Sequence, residues 1–174
     1  LASEYVVLVW LARKLKSSLS WIEDRRENLI AGFHSRDQYI TLEGAFDKNA
    51  RLLALKADIV ANVGAYSCFP TTCGVEPLMA MAEMPGPYDV QQYQCLARGV
   101  VTNTCTMAPY RGVSRPVITF TIERLMDKAA RAFGIDPIDI RRRNLIDRFP
   151  YKSAMGLEYD EATYKETLEM AVKA

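Results

Sequence analysis

Histidine is almost missing from this chain of 174 residues: His34 is the only one, and it lies far in sequence from most of the four cysteines, Cys68, Cys73, Cys95 and Cys105, which form no C-x-x-C pair. The usual zinc-binding patterns are therefore excluded. A surplus of either charge is missing too, since 22 Lys and Arg face 21 Asp and Glu for a formal net charge of +1. No general electrostatic attraction to nucleic acid or to an anionic membrane follows, and any anion must be bound locally. The longest strongly apolar run, Val6 to Ala12, ends at Arg13 and Lys14. It falls well short of the roughly 20 residues that a membrane span requires. The chain opens at Leu1 rather than Met and lacks the basic start and small-residue cleavage pattern of a secretory signal, so its location stays open with the cytoplasm favoured. A chain of this length needs no disulfide staples, and the four cysteines are read as free thiols.

What is present suits one soluble globular domain, with 49% hydrophobic and 25% charged residues. Val6 to Ala12 wrap most of a helical circumference, which predicts a buried helix over 4–15, and Ser20 to Glu23 read as a short strand. Leu29-Ile30-Ala31 is ambiguous in type. Alternation from Tyr39 to Phe46, a break at Asp47-Lys48-Asn49-Ala50 and resumed alternation from Leu52 to Val63 predict a hairpin. Its second arm places Leu53, Leu55, Ala57, Ile59, Ala61 and Val63 on one face, to be covered by helices. A short Met-rich helix is expected over 76–84, and a strand over 88–102 with a bulge or turn at Arg98-Gly99 and with Tyr93, Cys95, Val100 and Val101 available for burial. Ile118, Ile122, Leu125, Met126, Ala129, Ala130 and Phe133 recur at helical spacing, with Gly134 as the residue just past the helix end. Asp136-Pro137 caps a second helix whose Arg141-Arg142-Arg143 run reads as a solvated face. A loop around Phe149-Pro150 and Gly156 and an amphipathic helix from about 161 close the chain. The fold class is α+β: a mixed or antiparallel sheet with a hairpin packed against helices.

Ahead of the long helix lies Ala108-Pro109-Tyr110-Arg111-Gly112-Val113-Ser114-Arg115-Pro116. Gly112 allows a positive φ and close backbone approach, Arg111 and Arg115 bracket it with planar guanidinium forks, and Pro116 is a natural first helical residue. Such a loop favours an anionic or oxo-rich partner, although a basic loop before a helix is, on spacing alone, most often a solvated cap. Glu76 and Glu83 are read as surface acids, because neither environment nor reach marks them as general bases. Met79, Met81 and Met84 are read as gap-fillers.

The chain as a whole resembles the molybdenum-cofactor-binding large subunits of the xanthine dehydrogenase and aldehyde oxidase family, including the carbon monoxide dehydrogenase-like forms. Trp21 to Glu27 is similar to the family's W-x-E-D-R-R-E, Asn62 to Tyr66 to its N-x-G-A-Y, and Gly86-Pro87-Tyr88 to its G-P-Y turn. The specific match is Tyr110 to Pro116 against Y-R-G-x-G-R-P, followed by Glu123-Arg124-Leu125, by Asp136-Pro137 through Asn144, and by Gly156 to Asp160 against G-x-x-Y-D. The resemblance implies a molybdenum-molybdopterin cofactor contacted by Tyr110, Arg111 and Gly112, with no protein ligand to the metal and no catalytic residue in this chain. It implies hydroxylation of an aldehyde or N-heterocycle with water as oxygen source, iron-sulfur and flavin partner domains or subunits, and room for a dimer of the full assembly. Val113 takes the place of a Phe that packs on substrate in xanthine-oxidising members, and Gly112 that of the Cys in carbon monoxide dehydrogenases, so both substrates are disfavoured.

The family's G-G-G-F-G element is expected before Leu1 and its catalytic Glu beyond Ala174, which makes residues 1–174 part of a cofactor-binding domain, inactive alone. A second reading is a stand-alone non-catalytic α+β module that binds an anion or another protein. Binding of nucleic acid through Arg141-Arg142-Arg143 ranks last, for want of net basic charge and aromatic interleaving.

Overall fold

The computed structural model describes residues 3–67 and 72–174 and separates into two compact units, 1–32 and 33–174. Cys68 lies outside the described residues; Cys73 and Cys95 are free thiols.

The first unit holds α1 (Ser3–Leu15) and α2 (Arg25–Ala31). The expectation that α1 is buried is not met, with Val6 62% and Trp10 57% exposed. An apolar set that wraps the helix needs neighbours on every side to be buried, and α2 has no buried residue either. The expected strand at Ser20–Glu23 is also absent, since Ile22 is 88% exposed and no strand pairs with it. Asp24 instead opens a capping box, accepting from the Glu27 N–H while the Glu27 carboxylate accepts from its own N–H, and this resolves the ambiguous Leu29-Ile30-Ala31 as helix.

In the second unit β1 (Gln38–Phe46), β2 (Leu52–Gly64) and β3 (Gln92–Val101) form a sheet in that order, β1 antiparallel and β3 parallel to β2. The predicted hairpin is present, with one register shift between Ala45 and Phe46 that pairs Phe46 with Leu52. Because of that shift Leu52, not Leu53, is buried with Leu55, Ala57, Ile59, Ala61 and Val63. Parallel pairing of β2 with β3 demands a crossover, and α3 (Val75–Glu83) supplies the helix within it. β3 runs unbroken through Arg98-Gly99, the irregularity lying between Asn62 and Gly64 on β2 instead. Its end is an open edge, so Val100 and Val101 are exposed rather than buried.

The expected long helix is α4 (Arg115–Phe133), ended by Gly134 at φ 65° and ψ 32°, a left-handed conformation that glycine takes without a Cβ penalty. Ile118 packs with Ile59, Ala80 and Met84, while Ile122, Met126 and Ala130 pack with Leu55, Tyr88 and Ile140, so α3 and α4 cover the sheet face. Helix α5 (Pro137–Asn144) is capped by Asp136, and of its arginines Arg143 is exposed as expected whereas Arg141 and Arg142 are held in ion pairs. Arg141 bridges Glu123 at 2.7 Å and Asp127 at 3.0 Å on α4, and Arg142 pairs with Asp139 and Glu169. Asn144 accepts from the Leu52 N–H and donates to the Ala50 carbonyl, which fixes the hairpin turn to α5. The closing loop contains a small pair, β4 (Tyr151–Lys152) with β5 (Glu158–Tyr159), and α6 (Tyr164–Lys173) starts later than 161. Among the described residues no helix is long and apolar enough to cross a membrane.

Candidate functional site

The loop begins where β2 stops. Gly64 has φ +71°, and a Cβ there would lie 2.0 Å from the Cys105 carbonyl oxygen, so only glycine lets the chain leaving β3 return across this point. Asn62 ties the crossing together, donating to Asp37 Oδ2 and Thr104 Oγ1 and accepting from the Gly64 N–H and the Thr102 hydroxyl. The returning strand of chain then lies parallel to 33–37: His34 N–H donates to the Thr106 carbonyl at 3.2 Å and Ala108 N–H to the His34 carbonyl at 3.0 Å. The N-x-G-A-Y segment is thus a structural knot, and it sets Ser35 and Arg36 beside the loop.

Two overlapping turns shape the loop itself, Val113 N–H donating to the Tyr110 carbonyl at 2.7 Å and Arg115 N–H to the Gly112 carbonyl at 2.9 Å. Consecutive positive φ values follow, +90° at Gly112 and +51° at Val113. For glycine this is free, but for a β-branched residue a left-handed backbone costs about 1–2 kcal/mol and must be over-determined by its surroundings. Arg36 is the determinant: its Nη2 donates to the Arg111 carbonyl at 2.5 Å, its Nε to the Val113 carbonyl at 3.3 Å, and the guanidinium lies 5.1 Å from the centre of the Tyr110 ring. At the far end the buried Ser114 hydroxyl donates to the Glu76 carbonyl at 2.7 Å and accepts from the Gln38 amide at 3.0 Å.

Below lies Glu76, in the first turn of α3 with no accessible surface. Its Oε1 accepts from the Ser35 hydroxyl at 2.6 Å, and its Oε2 from the Arg36 N–H at 2.9 Å and the Gln38 amide at 3.3 Å. The reading of Glu76 as a surface acid is therefore overturned. Glu83 is no surface acid either: its side chain is 15% exposed and accepts from Arg115 Nη2 at 2.6 Å. That ion pair takes Arg115 out of the expected bracket around Gly112, leaving Arg111 alone in it.

Tyr110, Arg111, Gly112 and Val113 come together in one turn. Tyr110 is 67% exposed, the Arg111 side chain is exposed with no partner for its guanidinium among the described residues, and Val113 is half-buried. The N–H groups of Arg111 and Gly112 likewise find no acceptor among the described residues; Ser114, with no accessible surface, presents none to the outside. An exposed fork beside unpartnered backbone donors and a glycine at positive φ suits a group rich in oxo and carbonyl acceptors. No cluster of three or more His, Cys, Asp or Glu able to hold a metal occurs among the described residues. Sequence reasoning missed Ser35, Arg36, Gln38 and Glu76. Arg36 acts on backbone carbonyls 75 and 77 residues away, which leave no mark in the sequence.

Further from the loop, Tyr88 of the G-P-Y turn is buried and donates to Glu123 Oε1 at 2.7 Å. Burial, reinforced by that carboxylate, pushes its phenol far above the ordinary range, so Tyr88 is a fixed donor bracing α4.

These features define a cofactor-binding domain: an α+β scaffold that presents a strained, donor-rich loop at the start of a long helix. Residues 1–145 match the molybdopterin cofactor-binding domain family, and the chain belongs to it. It is 35% identical over 167 residues to the nicotine 6-hydroxylase large subunit of Paenarthrobacter nicotinovorans, covering 95% of this chain and 20% of that one. It is 30% identical to the carbon monoxide dehydrogenase large chain of Hydrogenophaga pseudoflava, covering 98% and 22%. Its fold superposes on quinoline 2-oxidoreductase from Pseudomonas putida 86 with a TM-score of 0.92 and 34% identity over 98% of this chain and 22% of that one. The chain spans about a fifth of the length of these relatives.

Proposed function

We propose that residues 1–174 are the part of a molybdenum hydroxylase large subunit that presents the Tyr110–Val113 loop to the molybdopterin cofactor, in an enzyme that hydroxylates an aromatic N-heterocycle with water as oxygen source. The observation that carries this is the loop: the exposed Arg111 fork and the unpartnered N–H groups of Arg111 and Gly112 gathered at one turn. When bound, the cofactor supplies the oxidising centre and transfers the oxygen drawn from water. This chain's residues bind and orient it, Arg111 by a planar fork matched to two acceptors and the loop by backbone donation. Nicotine and quinoline, in the names of two relatives, are both N-heterocycles, which supports that class over an aldehyde. The carbon beside a ring nitrogen is electron-poor, as attack by a water-derived oxygen requires. Val113, where an aromatic side chain would stack on a purine, leaves an aliphatic wall for a substrate held from elsewhere. The base that activates water and the iron-sulfur and flavin partners that accept electrons lie outside this chain.

The test uses the complete subunit in its native assembly, comparing wild type with Arg111→Lys and with Arg131→Lys, an exposed α4 arginine in no ion pair described here. Molybdenum and pterin content and turnover of quinoline against benzaldehyde are measured. Arg111→Lys lowers cofactor content or turnover, Arg131→Lys matches wild type, and quinoline is preferred. Equal behaviour of the two variants, or a wild-type subunit free of pterin, overturns the assignment and favours a non-catalytic module.

A further inference from the structure

We infer that Arg36 is a positioning residue for the cofactor loop, holding the peptide planes around Gly112 and Val113 so that the Gly112 N–H faces away from it, toward the side where an oxo or carbonyl acceptor of the cofactor would sit. This rests on the proposed role of the loop and extends it to a residue that touches no ligand.

In a trans peptide the carbonyl of one residue and the N–H of the next point in opposite directions within one rigid plane. Arg36 holds the Arg111 carbonyl through Nη2 and the Val113 carbonyl through Nε. The 111–112 and 113–114 planes are fixed by those two bonds: the first turns the Gly112 N–H to the opposite side, where it finds no acceptor among the described residues, and the second leads into Ser114, which has no accessible surface. The alternate planes are spent within the loop, the Tyr110 and Gly112 carbonyls accepting from Val113 and Arg115. One guanidinium thus selects which donor stays available.

Arg36 is itself held in an unusual state, with φ +67°. Its N–H is anchored by Glu76 Oε2, the adjacent Ser35 hydroxyl by Glu76 Oε1, and its guanidinium face by Tyr110. A side chain that merely filled space would need neither a left-handed backbone nor a fork. Both loop bonds come from different nitrogens of one plane, a geometry that a Lys ammonium cannot copy at two separated carbonyls. Without the fork, Val113 has no reason to stay at φ +51°, and the turn can relax with loss of the donor orientation.

The experiment uses the complete subunit in its native assembly, prepared as wild type, Arg36→Lys, Arg36→Gln and Arg111→Lys. Hydrogen exchange of peptides spanning 110–117, which contain the bonded Val113 and Arg115 amides, is followed in cofactor-depleted protein, and pterin content is measured in the loaded protein. Both Arg36 variants are expected to speed exchange at 110–117 by about ten- to a hundredfold, the cost of one to two charge-assisted hydrogen bonds, with exchange in β2 and the second half of α4 changed less than about twofold. Pterin content falls in parallel, and Lys does not rescue. Rescue by Lys, unchanged exchange at 110–117, or a change spread evenly over β2 and α4 overturns the inference. A loosened loop with full pterin content overturns it alone if Arg111→Lys loses cofactor; full pterin content in all variants overturns the proposed function with it.

Discussion

Removing the acceptors of Glu76 should loosen the loop's foundation in graded steps. Glu76→Ala deletes three acceptances at once: the Ser35 hydroxyl, the Arg36 N–H and the Gln38 amide. They are not equal losses. The Ser35 hydroxyl can rotate toward another partner, and the Gln38 amide keeps its bond to Ser114 Oγ. The Arg36 N–H has no substitute, and a buried donor left unsatisfied costs about 1–3 kcal/mol. Adding about 1 kcal/mol for the weakened Ser35 and Gln38 bonds gives about 2–4 kcal/mol in all. Glu76→Gln differs because the amide oxygen can occupy the Oε2 place and serve Arg36 and Gln38, while its NH2 faces Ser35 Oγ, which can turn to accept. Only the greater strength of bonding to a carboxylate is lost, about 1 kcal/mol. Global unfolding is a poor assay, since multidomain subunits rarely unfold in two states. Local opening is better: hydrogen exchange across 33–38 should quicken by about thirtyfold to several hundredfold in the Ala variant and about fivefold in the Gln variant. If Ala and Gln behave alike, or Ala stays within about twofold of wild type, Glu76 does not anchor Arg36.

Two further outcomes separate features that look alike in sequence or in charge. Gly64→Ala places a Cβ 2.0 Å from backbone and should abolish accumulation of folded subunit, whereas at Gly112 the nearest atoms to a Cβ are Pro116 side-chain carbons at 3.5 and 3.6 Å, so Gly112→Ala costs only the left-handed penalty of about 1–2 kcal/mol; comparable soluble yields of the two variants contradict this. The Lys165 hydrogen bond holds the Asp147 carboxyl below its ordinary value of 3.8, and the Arg142 hydrogen bond holds Glu169 below its ordinary 4.5. A depressed folded value means stability that is present above the unfolded pKa and lost as pH falls through the folded one. Lys165 and Glu169 both lie on α6, so exchange across 164–173, corrected for its intrinsic pH dependence, should rise below about pH 4.5 before that of α4, and salt should blunt the effect; an α6 that loosens on raising the pH from neutral instead refutes the pairing.

How much the sequence revealed depended on whether the signal was local. Helix α4 was legible because burial at Ile118, Ile122, Met126 and Ala130 repeats at helical spacing and Gly134 marks the end. The hairpin was legible by alternation, but its register was not: the shift at Ala45/Phe46 moves burial from Leu53 to Leu52, and nothing in Asp47 to Arg51 announces it. Arg141 looked solvated because its partners Glu123 and Asp127 belong to the preceding helix, which only packing brings near. Glu76 looked like a surface acid because a lone carboxylate in a Met-rich stretch carries no sign of the Ser35 hydroxyl and Arg36 N–H that meet it.

The loop divides the same way. Tyr110, Arg111, Gly112 and Val113 were recognisable as a candidate site because unusual residues are concentrated in a short run. Their support was invisible, since any residue's carbonyl could have served Arg36. Yet the support decides what the loop can do. Every bond that sets the orientation of the Gly112 donor, from Glu76 to Arg36 to the carbonyls of Arg111 and Val113, is internal to the chain. Donors fixed that way need no reorganisation when charge is presented to them, which is the condition under which backbone dipoles are most effective at an anionic or oxo group. On the proposed reading, the strain at Val113 is the cost of preorganisation, carried by residues that lie far from the loop in sequence.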